Sequence, residues 1–281
     1  MKVTNTRDIE NLKRFRDHLL YEEKSGVTTE KYCRDAAAFC RFADGRSITK
    51  ELVIAYKDDL IGRGYAVRSI NSMIASVNSY LRFLGQEDCR VKNLRTQQEV
   101  YCPEEKVLTK EDYLRLLEAA KGHPRMYLLL QTICATGIRV SELSSFTVDA
   151  VNRGEARVSC KNKIRVILIP EKLREMLLSY ARDKDIREGV IFRTKSGNPL
   201  NRSNIWHDMK SLCRAAEVPP EKVFPHNLRK LFARTYYSAD KDIARLADLL
   251  GHSSINTTRI YIISSGAEHK KKLEQLGLLY D

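Results

Sequence analysis

The sequence predicts a mainly α-helical protein with a small antiparallel β-sheet. Apolar residues recur at helical spacing through most of the first third of the chain and again through the last two thirds. Between these parts lies a polar stretch that contains Pro103 and lacks periodicity. A chain of 281 residues is also natural for two domains rather than one. We therefore expect a helical domain at 1–95, a linker at 96–107 and a second, mixed α and β domain at 108–281.

The first domain is predicted to be a bundle of four or five short helices. Gly26 ends the first helix, and either Thr28 or Thr29 caps the second. The clearest helix lies near residues 70–84, where an apolar stripe runs over four turns. That stripe consists of Ile70, Met73, Ile74, Val77, Tyr80, Leu81 and Leu84.

The second domain is predicted to combine helices with one hairpin. Thr109 caps a new helix, and the apolar run from Met126 to Ala135 predicts a buried one. Two β-rich segments, 158–160 and 164–169, flank Lys161-Asn162-Lys163 and predict an antiparallel hairpin. Further helices are expected at 171–184, 202–216, 226–238, 241–250 and 254–263.

Charge gives the first functional indication. The chain carries 49 Lys and Arg against 36 Asp and Glu, a formal net charge of +13. Divided at residue 95, the two parts carry net charges of +5 and +8, so the excess is not confined to a tail. A basic body of this kind is typical of a protein that faces a polyanion, although charge alone also fits a merely basic protein.

Several classes of protein are excluded by simple patterns. No segment reaches 18 uncharged apolar residues, so no membrane span is expected, and the polar N-terminus is not a secretory signal. The seven cysteines are odd in number and include no C-x-x-C pair, which argues against a disulfide framework and a zinc ribbon. The six histidines show no metal-ligand spacing, and no P-loop pattern occurs. A reducing, cytoplasmic location is the expectation.

Two basic motifs suit a phosphate group. Arg139 follows a turn at Gly137, and the forked geometry of its guanidinium matches two oxygens of one phosphate. Glu142 either orients Arg139 or is an ordinary helix acid. His226 and Arg229 stand three residues apart after Pro225, so a helix presents them on one face. Taken singly, each motif also fits a solvated basic surface.

A third motif joins a histidine to a tyrosine. Gly251 ends one predicted helix and Ser253 or Ser254 caps the next, which leaves His252 at the junction. Tyr261 follows nine residues later, roughly 13 Å along a straight helix. To act on the same phosphate, the chain must bend between the two residues, or the tyrosine must come from a neighbouring subunit.

In order and spacing, these residues together with Lys161 resemble the catalytic set of the tyrosine recombinases, also called the phage integrase family. The strings ATGIRVSEL, HNLRKLFART and LLGHSSINTTRIYI carry the resemblance, which covers nearly the whole chain. It implies a SAM-like core-binding domain at 1–95 and a catalytic α+β domain with a C-terminal tail at 108–281. The hairpin lacks the glycine-rich turn of many members, so the choice between Lys161 and Lys163 stays open, and we favour Lys161 by position. Lys163 and Arg165 are candidates for backbone-phosphate contacts.

The resemblance implies a site-specific recombinase that cuts and rejoins DNA through a 3′-phosphotyrosine. The implied catalytic residues are Arg139, Lys161, His226, Arg229, His252 and Tyr261. In the implied mechanism the two arginines and His252 hold the phosphate, and Tyr261 attacks phosphorus. His226 accepts or orients the proton of Tyr261, and Lys161 protonates the departing 5′ oxygen. Neither a metal nor a nucleotide cofactor is expected.

The implied partners are double-stranded recombination sites and further copies of the same chain. Strand exchange between two duplexes implies a tetramer and a Holliday junction. The leucine-bearing tail at 273–279 is a candidate contact, packed either on its own domain or on a neighbour. The polar face with Arg68, Asn71 and Ser72 is a candidate groove-reading surface. A site-specific recombinase is favoured over a type IB topoisomerase and over a non-catalytic DNA-binding protein. An Xer-like recombinase is favoured over a small mobile-element integrase, and the task stays open between integration, excision, inversion and dimer resolution.

Overall fold

The computed structural model describes residues 6–95, 104–160, 163–262, 270 and 273–276. The chain divides into two compact units, Met1–Gln98 and Glu99–Asp281. Most of the predicted linker and the Lys161-Asn162 turn lie outside the described residues, as does most of the tail. Helices dominate both units, and the second contains a two-stranded antiparallel sheet, so the predicted fold class is confirmed.

The first unit is a bundle of four helices and a short 3₁₀ turn. The helices are α1 (Thr6–Tyr21), α2 (Gly26–Ala43), α3 (Lys50–Gly62) and α4 (Val67–Phe83), and the 3₁₀ turn spans Glu87–Cys89. Helix α4 carries the predicted stripe, and Ile70, Ile74, Val77 and Leu81 are almost completely buried. They pack against Phe39 of α2 and Val53 and Tyr56 of α3, so one apolar face closes the core.

Two local predictions for this unit are wrong. Gly26 begins α2 instead of ending the preceding helix, and the cap is Ser25, whose hydroxyl accepts the backbone N–H of Thr28. Asn71 is not free to read a DNA groove, because its side-chain amide pairs with the backbone of Leu94 in both directions, at 2.8 and 2.9 Å. This amide fixes the segment that follows α4 to the bundle.

A buried acid also joins α2 to α4. Asp35 is 4% exposed and accepts hydrogen bonds from Lys31 at 2.5 Å and from the Ser76 hydroxyl at 2.9 Å. The ammonium of Lys31 also donates to the backbone carbonyl of Ser72. A buried carboxylate is tolerated when a cation and hydrogen bonds compensate its lost hydration, as here.

The second unit contains eight helices in its described part. They are α5 (Lys110–Ala119), α6 (Pro124–Thr136), α7 (Val148–Asn152), α8 (Glu171–Asp183), α9 (Arg202–Ser211), α10 (Pro225–Asp240), α11 (Ile243–Leu250) and α12 (Ile255–Ile262), with 3₁₀ turns at Glu104–Lys106, Val140–Ser145 and Pro220–Lys222. Helix α6 is the predicted buried helix, and its residues Leu129, Leu130 and Ile133 have no exposed surface. Helices α8 and α10 pack against it.

The predicted cap at Thr109 is confirmed. Its hydroxyl accepts the backbone N–H of Asp112, and the Asp112 carboxylate accepts the backbone N–H of Thr109, both at 3.1 Å. This reciprocal pair is a capping box, which satisfies two backbone donors that helix formation leaves free. Helix α9, in contrast, ends at Ser211 and is shorter than the periodicity predicts.

The sheet consists of β1 (Glu155–Cys160) and β2 (Lys163–Leu168), paired so that Cys160 faces Lys163. Ala156, Val158 and Ile167 face the core and are nearly completely buried. Because side chains alternate along a strand, Arg165 lies on this same inward face of β2. None of the described helices has both the length and the apolar character that crossing a membrane requires.

Gly137 ends α6 in the left-handed region, with φ of +61°. A β-carbon at this position would lie 2.4 Å from Cδ1 of Phe232 and 3.1 Å from a methyl group of Leu250. The absence of a side chain therefore lets the end of α6 approach both α10 and α11 closely. This approach brings the turn that follows α6, with Arg139, next to those two helices.

We expect Gly137→Ala to destabilise the protein far more than Gly154→Ala. Both glycines have positive φ, which costs an alanine about 1 kcal/mol, but a methyl group at Gly154 meets nothing closer than 3.9 Å. Overlap with Phe232 should add at least about 1–3 kcal/mol to the loss at Gly137. Chemical denaturation of both variants measures this difference, and equal losses would show that the close approach is unimportant.

Candidate active site

Arg139 is held at the start of a 3₁₀ turn by the carboxylate of Glu142. One carboxylate oxygen accepts the backbone N–H of Arg139 and the other accepts its Nη1, both at 2.9 Å. Burial of Glu142 opposes its ionisation, but these bonds and the charge of Arg165 outweigh it and hold the pKa of Glu142 below its ordinary value. Of the two sequence readings, Glu142 therefore orients Arg139. The Arg139 side chain remains about one third exposed.

Arg229 is the most deeply buried cation of the site, with 1% of its surface exposed. Its Nη1 donates to the carbonyl of Gly137, and its Nη2 donates to the carbonyl of Leu250 at 2.6 Å. Among the described residues, no carboxylate forms an ion pair with it. Burial, and then the charge of Arg139, lower the pKa of Arg229 to about 10, so it stays charged at neutral pH.

His252 stands directly after Gly251, where the chain turns from α11 into α12. Its Nε2 lies 3.0 Å from Nη2 of Arg229, and its Nδ1 lies 2.9 Å from the hydroxyl of buried Thr258. A guanidinium only donates, so Nε2 accepts and Nδ1 carries the proton. Burial, and then the charges of Arg229 and Arg139, lower the pKa of His252 to about 4. The imidazole is therefore neutral at pH 7.

His226 is the second residue of α10, which begins with Pro225 as the sequence predicts. Arg229 follows one turn later on the same face, and both residues line the same cleft. Desolvation of the ring, and then the charges of Lys230 and Arg229, lower the pKa of His226 to about 4. This second imidazole is thus also neutral and able to accept a proton at pH 7.

Tyr261 lies against both imidazoles of its own chain. Its ring packs edge-on with those of His226 and His252, with centroids 4.9 Å apart in each pair. The guanidinium carbon of Arg229 lies 5.9 Å from the same ring centroid. The chain bends between α11 and α12, so of the two arrangements that the sequence leaves open, the structure shows the one within a single chain. Tyr261 itself is 8% exposed.

A cleft of about 340 Å³ opens beside these residues, and Arg139, His226 and Arg229 line it. Two further lining residues, Arg202 and Trp206 of α9, are missed by the sequence analysis. Trp206 is 51% exposed although it is the single tryptophan of the chain. A single tryptophan in a polar helix is a signal available in the sequence, but nothing local connects it to the cleft.

The structure therefore brings together five of the six predicted site residues: Arg139, His226, Arg229, His252 and Tyr261. Lys161 lies outside the described residues, so its place relative to this group stays a prediction. Arg165, in contrast, is described and is engaged within the protein, while its contact with a phosphate stays a prediction. Its two terminal nitrogens bind Glu142 and the carbonyl of Leu249, each at 2.5 Å.

Comparison with known proteins identifies the family. Residues 106–268 match the model of the phage integrase family, and residues 12–88 match that of the phage integrase N-terminal SAM-like domain. The chain is 29% identical over 280 residues to tyrosine recombinase XerA of Pyrococcus furiosus, covering 96% of this chain and 95% of that one. It is 30% identical to tyrosine recombinase XerC of Roseiflexus castenholzii, covering 90% and 88%.

Solved structures agree in fold. The XerH recombinase bound to its palindromic difH substrate aligns with a TM-score of 0.72 and 18% identity, over 88% of this chain and 79% of that one. A lambda integrase dimer bound to a core site aligns with a TM-score of 0.72 and 20% identity, over 92% and 95%. Since the phage integrase match alone spans more than half of the sequence, this chain belongs to the phage integrase family of tyrosine recombinases and is a site-specific DNA recombinase.

Proposed function

We propose that this chain exchanges DNA strands through a 3′-phosphotyrosine that Tyr261 forms in the cleft beside Arg139 and Arg229. One observation carries the proposal. A buried guanidinium, with no carboxylate partner in the described part of the chain, lies next to a second arginine, two neutral imidazoles and a tyrosine ring. A buried cation left without a counter-ion is costly unless an anion is its intended ligand. A DNA phosphodiester supplies that anion.

The two arginines hold the non-bridging oxygens of the phosphodiester in this proposal. Arg139 keeps Nη1 on Glu142 and has Nη2 only 3.2 Å from the carbonyl of Gly251, in an exposed position where a phosphate oxygen can replace that carbonyl. Arg229 is already oriented by two backbone carbonyls. Charge that develops on the phosphorus oxygens therefore meets donors that are placed before the reaction begins.

In the chemical step, the hydroxyl oxygen of Tyr261 attacks phosphorus and its proton passes to the neutral His226. The bond between phosphorus and the 5′ oxygen breaks, and Lys161 gives a proton to that oxygen, since an alkoxide is a poor leaving group. The products are a 3′-phosphotyrosine and a free 5′-hydroxyl. Attack by the 5′-hydroxyl of a partner strand reverses each transfer and reseals the DNA, so no external energy source enters the balance.

His252 requires a change of protonation to donate to the phosphate. In the free protein its Nε2 accepts a bond from Arg229. A phosphate in the cleft adds negative charge, which favours a cationic imidazole and raises its pKa. With a proton on both nitrogens, His252 donates from Nε2 to the phosphate and from Nδ1 to Thr258.

The first unit, with the predicted domain at 1–95, is assigned to DNA contact beside the cut. Helix α4 presents Arg68, Ser72 and Arg82 on one exposed side, and a polar cleft of about 300 Å³ near Arg82 is also lined by Lys24 and Arg90. We therefore assign groove contact to this basic surface, without Asn71, whose side chain binds the backbone of Leu94. Arginine and serine side chains are suited to phosphate and groove contacts.

Paired cuts on two duplexes require four such sites, so we propose a tetramer on double-stranded DNA with a Holliday-junction intermediate, acting in the cytoplasm. The lambda integrase tetramer bound to a Holliday junction, with a TM-score of 0.68 and 20% identity, supports this assembly as a related arrangement. Leu273 and Leu276 of the tail are 55% and 59% exposed, which suits contact with a neighbouring subunit.

We expect Tyr261→Phe to abolish covalent capture of DNA while Tyr237→Phe retains it. Phenylalanine keeps the ring packing against both histidines but has no oxygen to attack phosphorus. The assay incubates wild type with fragmented genomic DNA of its source, sequences the trapped fragments, and then uses nicked duplexes of the recovered site. Capture by Tyr261→Phe at the wild-type level would disprove the nucleophile. Relaxation of plasmids without joints between paired sites would favour a topoisomerase.

We expect Arg139→Ala to slow cleavage of the nicked duplex by about 100-fold or more, because one preorganised donor to the phosphate is lost. Affinity for DNA should fall only a few fold, since many other contacts remain. Arg187→Ala removes an equal charge from an 86% exposed arginine and is the matched control. If cleavage and binding fall by the same factor, Arg139 serves only for docking.

We expect both imidazoles to be neutral in the free protein at pH 6 and only His252 to gain a proton when DNA binds, because His226 must stay neutral to accept the proton of Tyr261. Burial and neighbouring cations hold the pKa values of His226 and His252 near 4, and the phosphate that His252 binds shifts the pKa of His252 upward. Titration of the ring Cε1–H signals by NMR, assigned with His226→Gln and His252→Gln, measures this shift. A pKa of His252 that DNA leaves unchanged, or a His226 that is cationic in the complex at pH 6, would contradict the expectation.

A further inference from the structure

Arg165 extends from β2 of the hairpin into the group that holds the two catalytic arginines. Its side chain is 14% exposed. Its Nη2 donates to Glu142 at 2.5 Å, and its Nη1 donates to the carbonyl of Leu249 at 2.5 Å. One guanidinium therefore connects three segments: the hairpin, the 3₁₀ turn after Arg139, and the end of α11.

The stem of Arg165 also packs directly over Gly251. A β-carbon at Gly251 would lie 2.6 Å from Cδ of Arg165 and 3.0 Å from its Nε. Only a residue without a side chain permits this approach, and Gly251 also has a positive φ of +62°. The hairpin is thus in van der Waals contact with the turn that positions His252.

Glu142 is shared by two arginines on opposite sides. Its Oε1 accepts from Arg139 at 2.9 Å, and its Oε2 accepts from Arg165 at 2.5 Å and from the backbone of Arg139. A carboxylate held between two guanidinium groups fixes the distance between them. Each terminal nitrogen of Arg165 thus makes a contact within the protein, which suits a structural role.

We propose that Arg165 is a positioning residue that locks the β1–β2 hairpin, and with it the lysine at its turn, against the phosphate-binding group. This inference rests on the proposed function, in which Lys161 protonates the departing 5′ oxygen. Lys161 lies four residues before Arg165 along the hairpin, and the turn is closed by the pairing of Cys160 with Lys163. Without Arg165, Arg139 and Arg229 keep their bonds to Glu142 and to the backbone carbonyls and can still hold the phosphate. The hairpin, however, loses its contact with this group, so proton donation by the lysine should slow.

The test compares two nicked duplexes that differ in one atom. The first has the natural oxygen at the scissile 5′ position, and the second has sulfur there. A thiolate leaves without a proton, because a thiol has a pKa of about 8.5 and an alcohol a far higher one. A fault in proton donation therefore slows cleavage of the oxygen substrate only, whereas a fault in phosphate binding or in overall folding slows both.

We expect Arg165→Met to slow cleavage of the oxygen duplex by about 100-fold, the size of a general-acid effect, and to cleave the sulfur duplex within a few fold of wild type. Methionine keeps part of the stem over Gly251 and removes the guanidinium. Arg165→Lys retains one cation but not the two-pronged contact, so its loss on the oxygen duplex should be smaller. Arg157→Met, on the exposed side of β1, is the matched control and should cleave both duplexes like wild type.

Each outcome separates the inference from the proposed function. If wild type forms no covalent product with either duplex, the proposed function fails. If wild type forms it and Arg165→Met loses both activities equally, or neither, then Arg165 does not position the hairpin lysine. Should Arg165→Met prove unfolded by circular dichroism, the oxygen-to-sulfur ratio of Arg165→Lys decides, and a ratio equal to that of wild type overturns the inference.

Discussion

A positive charge that is buried without being neutralised is the constraint on which this active site depends. Arg229 is bound by carbonyl groups at the ends of α6 and α11, where the partial negative charge of a helix terminus is concentrated. These carbonyls orient the guanidinium and offset part of its desolvation, but they carry no full negative charge. A carboxylate in the same place would have cancelled the field that attracts a phosphate. The ends of two helices thus supply support without a counter-ion.

The surrounding residues follow from that arrangement. Burial, and then the charges of neighbouring cations, keep both histidines neutral at pH 7, so that His226 is able to accept a proton, and the hydrogen bond from Arg229 fixes the tautomer of His252. Gly137, which ends α6, lets that end lie close to α10 and α11. The guanidinium of Arg229 can therefore reach the carbonyls of both Gly137 and Leu250. Glu142 forms ion pairs with Arg139, which it orients, and with Arg165, but not with Arg229. The same few contacts therefore set both the positions and the protonation states of the arginines and histidines in the site.

Local patterns in the sequence predict much of the fold but few of the side-chain contacts between residues distant in the chain. The helix stripes, the cap at Thr109 and the hairpin each depend on residues close together in the chain, and all three are present. The five described site residues were identified by motif order, which reflects a shared family. Contacts that cross the fold were not accessible in this way. No residue near Arg165 in the sequence indicates its contact with Glu142. Asn71 is a polar residue of a type common on protein surfaces, although its side chain binds the backbone of Leu94.

The two glycines at the site restrict how this protein can change over evolutionary time. At Gly137 and Gly251 the volume that a methyl group would occupy belongs already to Phe232 and Arg165, whereas Gly45, Gly64 and Gly85 border open space. Substitution of Gly45, Gly64 or Gly85 is opposed only by their positive φ, which asparagine or aspartate can partly adopt. A side chain at Gly137 or Gly251 displaces Phe232 or Arg165, so a replacement there is tolerated only together with a compensating change at that neighbour.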